Sequence, residues 1–174
     1  CGRGFEEGGR KGGEMKLTSA VVSLYRMPTH MKQPLSNAVQ RMDAIELVIV
    51  KLLTDKGIYG WGFTYTLGKG GAAIKCIIEK ELIPLVMGEN PLNTERIWQK
   101  LWWACRVIGR VGITTMGIAA IDTALWDLKG KYFGVSLYRL LGGYRDKVPA
   151  YALDSGWMNL SIEEMNALSK KFVE

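Results

Sequence analysis

The stretch of sequence that decides the fold consists of two pieces, GIAAIDTALWDLKGK at 117–131 and LYRLLGG at 137–143. In the first piece, large apolar side chains recur every three or four residues, which is the spacing of one face of an α-helix, and the alanines between them permit close packing. These apolar residues are Ile118, Ile121, Leu125 and Leu128. Asp127 and Lys131 are four residues apart, a spacing that favours an ion pair on a helix. We therefore predict a buried helix over 115–133, then a short helix that ends at a glycine pair.

Ahead of this stretch, the sequence predicts strands first and helices second. The predicted strands span 16–26, 45–53 and 60–65, and the other predicted helices span 72–87 and 94–106. The strands alternate apolar and polar residues, and the turn between the second and third contains Asp55, Lys56 and Gly57. Asn93 is the expected N-cap of the helix that follows it. Strands that are segregated from helices indicate an α+β fold, here a three-stranded antiparallel meander followed by helices.

A new strand–helix unit is predicted after the glycine pair. Residues 148–153 (VPAYAL) have the character of a strand, and Ser161 is followed by two glutamates in the form of a capping box. The glutamates occupy both the second and the third position after the serine, so the pattern allows either to complete the box.

With these elements in place, the chain resembles the enolase superfamily, in the branch of mandelate racemase, muconate lactonizing enzyme and the acid-sugar dehydratases. The resemblance rests first on the 117–143 stretch and covers the chain from about Met15 to its C-terminus. The hairpin sequence GIYGWG at 57–62 and the helix end LIPLVMG at 82–88 support it. It implies an N-terminal capping domain and, after it, a β/α barrel that carries the chemistry.

The resemblance divides the chain into three parts. We expect a disordered extension at 1–14, an enolase-like N-terminal capping domain at 15–147, and the first strand and helix of a truncated β/α barrel at 148–174. The first fourteen residues contain six glycines and almost no apolar side chains, so burial cannot offset the entropy of ordering them. A whole barrel needs about 200 residues or more, so the 174 residues present cannot include one.

Composition limits the class of protein and its partners. Apolar residues make up 48% of the chain, which suffices for a core, and the longest apolar stretch is too short to span a bilayer. The three cysteines are far apart, and no signal peptide is recognisable, so we expect a cytoplasmic protein. The net charge of +6 arises between Arg96 and Lys147, where nine basic residues face three acidic ones. Because these charges are dispersed, we expect solvated helix faces and no nucleic-acid or membrane partner.

Two loops are the candidate substrate contacts. By resemblance, the loops at 27–35 and 65–71 form a lid over the mouth of the barrel, and the glycines of the second loop supply its hinge. Each loop remains open to a second interpretation as an ordinary surface connection. In the first loop, His30 is either a substrate contact or an exposed residue, because the family places its histidine base on a late barrel strand. In the second, Tyr65 is either a substrate contact or an aromatic that packs at a strand end.

Three further residues have candidate roles. Ser155 follows the predicted barrel strand, where side chains point towards the chemistry, and it either binds substrate or forms part of a polar loop. Arg106, or else Arg110, is the weaker candidate for contact with a distal carboxylate of the substrate. Asp122 is expected to be buried and satisfied by a backbone donor or by a cation at the junction of cap and barrel.

The resemblance implies a parent enzyme that depends on Mg²⁺ and abstracts the proton α to a carboxylate. Acid-sugar dehydration is the favoured reaction, and racemisation or epimerisation and cycloisomerisation are the alternatives. The expected substrate is a small hydroxy acid or sugar acid, and the parent is expected to be a homo-oligomer. The family's Mg²⁺ ligands and catalytic bases lie on barrel strands that this chain does not reach, so we expect the isolated chain to bind no Mg²⁺ specifically and to be inactive. The competing hypothesis is a non-catalytic capping or oligomerisation domain.

Overall fold

The computed structural model describes residues 14–29, 35–39, 41–151 and 158–173. His30 and Ser155, together with the extension at 1–13, lie outside the described residues. No helix among the described residues is long and apolar enough to cross a membrane.

The predicted three-stranded antiparallel sheet is confirmed, and a small second sheet is present beside it. The strands are β1 (Leu17–Pro28), β2 (Leu35–Ser36), β3 (Arg41–Met42), β4 (Ala44–Thr54) and β5 (Tyr59–Thr66). The main sheet has the order β1-β4-β5, and β2 pairs with β3 in the connection between β1 and β4. The sequence did not predict this small hairpin, because strands of two residues carry no periodicity that could reveal them.

One face of the main sheet packs on the helices. Val48, Val50 and Leu52 of β4 are fully buried there, while the residues between them point to the opposite face. The helical segments are α1 (Gly71–Ile77), a π-helical segment (Ile78–Leu82), α2 (Ile83–Val86), α3 (Thr94–Ala104), α4 (Ile113–Phe133), α5 (Leu137–Leu140) and α6 (Ile162–Val173). The helix predicted over 72–87 is therefore interrupted by a π-helical turn.

α4 is the central helix of the core and lies directly on β5. Its residues Ile118, Ile121, Leu125 and Leu128 are buried, as their spacing predicts. The approach is close enough that a Cβ atom added at Gly62 would lie 2.0 Å from the Ala120 carbonyl oxygen, and one added at Gly60 would lie 2.0 Å from that of Ala124. Glycines in β5 thus permit the contact between strand and helix.

The predicted ion pair in α4 is present and has a second role. Lys131 Nζ lies 2.5 Å from Asp127 Oδ2, and the same carboxylate oxygen accepts a hydrogen bond from the Trp61 backbone N–H at 2.8 Å. Lys131 also donates to the Tyr59 carbonyl oxygen at 3.2 Å. The pair therefore satisfies backbone groups at the edge of β5 that no neighbouring strand pairs.

Three local predictions have mixed outcomes. Residues 148–151 form no strand, since no other described strand lies beside them to pair with, and the rest of that predicted strand falls outside the described residues. The capping box at Ser161 is confirmed with Glu164 as its partner, through hydrogen bonds of 2.8 and 3.2 Å. Asn93 occupies the N-cap position of α3, but its side chain makes no capping hydrogen bond, because its φ and ψ of −84° and 55° are not the extended values that aim a cap side chain at the helix.

Candidate functional site at the carboxyl end of β5

The loop that joins β5 to α1 is anchored at its base by a charged network. Glu46 accepts hydrogen bonds from the Gly71 backbone N–H at 2.8 Å, from Arg26 at 3.0 Å and from the Thr66 hydroxyl at 3.3 Å. Arg26 also donates to the Gly68 carbonyl oxygen at 3.0 Å. The pKa of Glu46 is lowered from its ordinary value, chiefly by the Gly71 N–H, with smaller effects from Thr66 and Arg26 and an opposing effect of burial. Sequence reasoning missed these anchors, because their donors are 20 and 25 residues from Glu46.

A shallow cleft of about 540 Å³ opens beside this loop. It is lined by Thr64, Tyr65, Thr66, Leu67, Lys69 and Met116. Tyr65 is 54% exposed, and Lys69 makes no ion pair with any residue that the structure describes. A lysine and a tyrosine at one cleft suit an anionic ligand that also carries hydroxyl groups.

The structure places the predicted site residues in different regions. Tyr65, which is predicted to contact substrate, lines the cleft. Arg106 is exposed in the turn after α3 and does not line the cleft. Lys69 was included in the predicted lid loop but was not singled out as a contact. It is the lone cation of the glycine-rich segment LGKGG at 67–71, but that pattern does not distinguish a cation that lines a cleft from one that faces bulk water.

Arg110, the alternative to Arg106, is engaged in the fold of the chain after α3. Its guanidinium carbon lies 5.0 Å from the centre of the Trp102 ring and 4.6 Å from that of Trp103, and its Nε donates to the Trp102 carbonyl oxygen at 3.1 Å. Its Nη2 is buried with no hydrogen-bond partner among the described residues. Arg110 thus holds the turn that follows α3 against that helix.

The small hairpin that follows the other predicted lid loop contacts the C-terminal segment of the chain. The Met158 backbone N–H donates to the Ser36 carbonyl oxygen at 3.0 Å, and the Ser36 N–H donates to Asn159 Oδ1 at 3.4 Å. At the start of the lid loop, the Thr29 hydroxyl donates to the Met42 carbonyl oxygen at 2.6 Å. The small hairpin therefore lies between the sheet and the segment that leads into α6.

Asp122 has no hydrogen-bond partner among the described residues, which leave the predicted junction of cap and barrel untested. Its carboxylate is half-buried in a cleft of about 330 Å³, which Glu95, Trp98 and Trp126 also line, and it accepts no hydrogen bond from the part of the chain that is described. Burial raises the pKa of Asp122 above its ordinary value, and the neighbouring Glu95 adds a smaller effect in the same direction. The charged form of Asp122 is therefore less favourable in the folded chain than it is in water.

We expect Asp122→Asn to stabilise this chain at neutral pH. A carboxyl group with a raised pKa in the folded state opposes folding once it ionises, so the penalty is absent below the unfolded-state pKa and complete above the folded-state pKa. The gain should be under about 1 kcal/mol, because water screens a half-exposed carboxylate. Urea unfolding at several pH values between about 3 and 7 should show the variant matching the wild type at the acidic end and exceeding it at neutral pH.

The matched control is Asp43→Asn, which removes an exposed carboxylate that pairs with Arg41 at 3.4 Å. This variant should gain no stability at neutral pH. A loss of stability in Asp122→Asn at neutral pH would mean that Asp122 has a favourable partner in solution.

The described residues contain no group of three or more histidine, cysteine, aspartate or glutamate side chains that could hold a metal ion. Asp122 and Glu95 lie at one cleft, but the other residues that line it are a threonine and two tryptophans, and Lys129 lies over one of the indole rings.

Comparison with known proteins identifies the family to which this fold belongs. Residues 20–142 match the family model of the mandelate racemase / muconate lactonizing enzyme N-terminal domain. The chain belongs to this family. The match includes the whole main sheet after its first residues, together with α1 to α5.

Two curated relatives come from the sugar-acid enzymes of the family. The 3,6-anhydro-alpha-L-galactonate cycloisomerase of Streptomyces coelicolor is 40% identical over 129 residues, which cover 74% of this chain and 36% of that protein. The L-talarate/galactarate dehydratase of Salmonella typhimurium is 31% identical over 151 residues, which cover 87% of this chain and 37% of that protein. The chain thus spans little more than a third of the length of these relatives.

A solved structure supports the fold. The crystal structure of a racemase from Streptomyces coelicolor with bound magnesium superposes with a TM-score of 0.83 at 34% identity, over 90% of this chain and 43% of that one. The chain is therefore an α+β N-terminal domain of the mandelate racemase/muconate lactonizing enzyme family.

Proposed function

We propose that this chain is the capping, substrate-specificity portion of a Mg²⁺-dependent enzyme that abstracts the proton α to the carboxylate of a sugar acid. The observation that carries the proposal is the family match over residues 20–142, supported by relatives that act on sugar acids. The cleft at the carboxyl end of β5 provides the surface through which this portion would contact substrate. Activity itself belongs to the longer parent enzyme, whose remaining part would supply the metal ligands and the base.

In this proposal the chain's own residues bind and orient the substrate. The Lys69 ammonium attracts the carboxylate at the end of the acid that does not react, and the Tyr65 hydroxyl forms a hydrogen bond to the same group or to a neighbouring hydroxyl. The Glu46 network holds the loop that carries Lys69, so that less entropy is lost when substrate binds. His30, Arg106 and Ser155 remain proposed contacts from the other lid loop, the turn after α3 and the segment after α5.

Dehydration is the reaction that we favour, and cycloisomerisation and racemisation or epimerisation are the alternatives. The three reactions begin with the same proton abstraction and differ in what the resulting anion does next. The parent would be a cytoplasmic homo-oligomer with no nucleic-acid or membrane partner, and residues 148–174 would begin its barrel. A capping or oligomerisation domain without catalytic activity is the competing proposal, and a parent enzyme that turns over no acid would favour it.

The test uses the full-length parent with Mg²⁺ and a panel of mono- and dicarboxylic sugar acids. Dehydration would convert the acid into a 2-keto-3-deoxy acid, detected by its reaction with semicarbazide. Formation of an epimer without a keto product would indicate racemisation or epimerisation, and a change in ring or lactone content would indicate cycloisomerisation. Absence of turnover across the panel would contradict the enzymatic proposal.

Within that assay, we expect Lys69→Met to raise KM for a dicarboxylic acid about tenfold, because one charge-assisted contact contributes about 1.4 kcal/mol. Tyr65→Phe should raise KM about threefold to tenfold, while kcat falls less, because the contact is remote from the reacting carbon. The controls are Lys56→Met, in the turn between β4 and β5, and Tyr132→Phe, near the end of α4, which should leave both constants unchanged. An unchanged KM in Lys69→Met would show that the cleft does not bind the substrate.

A further inference from the structure

The cleft that contains Asp122 lies between α3 and α4 and combines acidic with aromatic side chains. Glu95 and Trp98 line it from α3, Asp122 and Trp126 line it from α4, and Thr94 lies beside them. We call it the α3–α4 cleft. Its volume of about 330 Å³ is at the lower end of the range for ligand sites, so it suits a small group.

The two carboxylates of the α3–α4 cleft have no cationic partner among the described residues. Asp122 accepts no hydrogen bond there, and Glu95 accepts one from the neutral Gln99 side chain at 3.1 Å. Burial and, to a smaller extent, the charge of Glu95 raise the pKa of Asp122, because lost hydration and a like charge both disfavour the ionised form. A cation in the cleft would relieve both effects.

Lys129 lies next to the α3–α4 cleft but does not line it. Its Nζ is 4.8 Å from the centre of the Trp126 ring and 3.4 Å from the Thr94 hydroxyl oxygen. Lys129 forms no ion pair with Asp122 and does not offset the rise in the pKa of that carboxyl. Its position over the indole shows that the Trp126 ring can attract a cation. The carboxylates themselves still lack a counter-ion.

The aromatic walls select the kind of cation. Trp98 stacks on Trp102, with ring centres 5.1 Å apart and planes inclined by 14°, and this contact holds the Trp98 ring in place. A guanidinium group is flat and more weakly hydrated than an ammonium group, and it stacks on aromatic rings while its N–H groups donate in their own plane to carboxylates. Two indoles beside two carboxylates therefore favour a guanidinium group.

The α3–α4 cleft is separate from the cleft at the carboxyl end of β5. Met116 of α4 lines the β5 cleft, whereas Asp122 and Trp126 lie about 9 and 15 Å further along the same helix. Two carboxylates would also repel an anionic sugar acid. The ligand of the α3–α4 cleft is thus a different molecule or group from the proposed substrate.

We propose that the α3–α4 cleft binds a guanidinium group, contributed by an arginine side chain in the part of the parent enzyme that lies outside this chain. A covalently attached partner suits the cleft better than a free ligand, because a half-buried carboxylate lowers the stability of every molecule in which its counter-ion is missing. The proposal rests on this chain being part of a longer enzyme, as proposed above, but not on which reaction that enzyme performs.

The first measurement is an NMR titration of the isotope-labelled 174-residue chain with N-ethylguanidinium chloride at constant ionic strength. It follows the indole N–H signals of Trp98 and Trp126, which are assigned through Trp98→Phe and Trp126→Phe. We expect saturable shifts with a dissociation constant on the order of 10 mM, as befits so small a ligand, so the titration extends to about 50 mM. N-Ethylurea, a neutral analogue of the same shape, should shift neither signal.

Variants of the carboxylates locate the binding. Asp122→Asn and Glu95→Gln should each weaken the binding of N-ethylguanidinium about threefold to tenfold, because each removes one charge-assisted contact. The matched control is Asp43→Asn, which removes an exposed carboxylate that pairs with Arg41 outside the cleft. This control should bind the probe as the wild type does.

The second measurement compares Asp122→Asn in this chain and in the full-length parent. In this chain the substitution should raise stability, as expected above, since it removes an uncompensated charge. In the parent it should lower the thermal midpoint by about 2 °C, because the arginine then loses its counter-ion. The effect of the substitution should therefore change sign between the two proteins.

Binding of the probe together with this change of sign supports the proposal. Binding without the change of sign would overturn the assignment to the parent and would identify a free guanidinium compound as the ligand. A change of sign without binding would mean that Asp122 pairs with other donors in the parent, and absence of both would mean that the cleft binds no guanidinium group. Either of these results overturns the proposal. Turnover of sugar acids is measured separately, so failure of the proposed reaction would leave these outcomes unchanged.

Discussion

Replacing Gly62 with alanine is expected to lower the free energy of unfolding by about 3 kcal/mol or more, near the upper end of the cost of overpacking a core. The added Cβ atom would lie 2.0 Å from the Ala120 carbonyl oxygen and 2.6 Å from the Ala124 backbone nitrogen. Both atoms belong to the backbone of α4, so no change of rotamer can relieve the clash, and the helix has to move away from β5. Since α4 carries much of the core, that movement would also loosen its packing against α1 and α3.

Urea unfolding followed by circular dichroism measures this effect, and Gly57→Ala is its control. Gly57 lies in the turn between β4 and β5 with a φ of +74°, and nothing lies within 4 Å of a Cβ added there. That variant should lose only the 1 to 2 kcal/mol that a left-handed backbone costs a residue with a side chain. If Gly62→Ala were no less stable than Gly57→Ala, the close contact between strand and helix would be incorrect.

Replacing Asp127 with alanine is expected to lower the free energy of unfolding by about 2 kcal/mol, within the range for hydrogen bonds to a charged group. The substitution removes the acceptor for the Trp61 backbone N–H and the partner of Lys131 in one step. Water reaches this edge, because the Asp127 side chain is 32% exposed, and this limits the loss. The stability curve in urea should shift to a lower midpoint with an unchanged slope.

Two companion variants separate the contributions of Asp127. Asp127→Asn keeps an acceptor for Trp61 and loses the ion pair, so it should cost about half as much as the alanine variant. Lys131→Met should cost less than about 1 kcal/mol, since Trp61 keeps its acceptor. Equal losses in Asp127→Asn and Asp127→Ala would show that the hydrogen bond to β5 contributes nothing and that the ion pair alone matters.

Local patterns predicted the main elements of this fold. The spacing of apolar residues along α4 and the alternation along β4 arise from the geometry of each element by itself, so they can be read without knowledge of the partner. The same holds for the capping box at Ser161, whose two members are three residues apart. The family resemblance rested on such a local stretch, and the match over residues 20–142 confirmed it.

The candidate site was predicted only in part. The loop after β5 was identified by its glycines and by resemblance, and Tyr65 does line the cleft there. Lys69 was not singled out, because nothing local distinguishes a cation that lines a cleft from one that faces bulk water. The partner expected for Asp122 is absent from the described structure, since sequence shows which side of a helix a carboxylate occupies but not which groups surround it.

The sequence by itself determined the α+β class of this chain, because helix and strand periodicity express the constraint of burying one face of each element. Only the tertiary structure decided how the elements approach one another. Gly62 of β5 lies against the backbone of Ala120 in α4. The Trp61 backbone N–H donates a hydrogen bond to Asp127, which is 66 residues away in the sequence. Glu46 accepts a hydrogen bond from Gly71, which is 25 residues away, and so anchors the loop after β5. These contacts depend on distances between segments that the fold brings together, and no local pattern encodes such a distance.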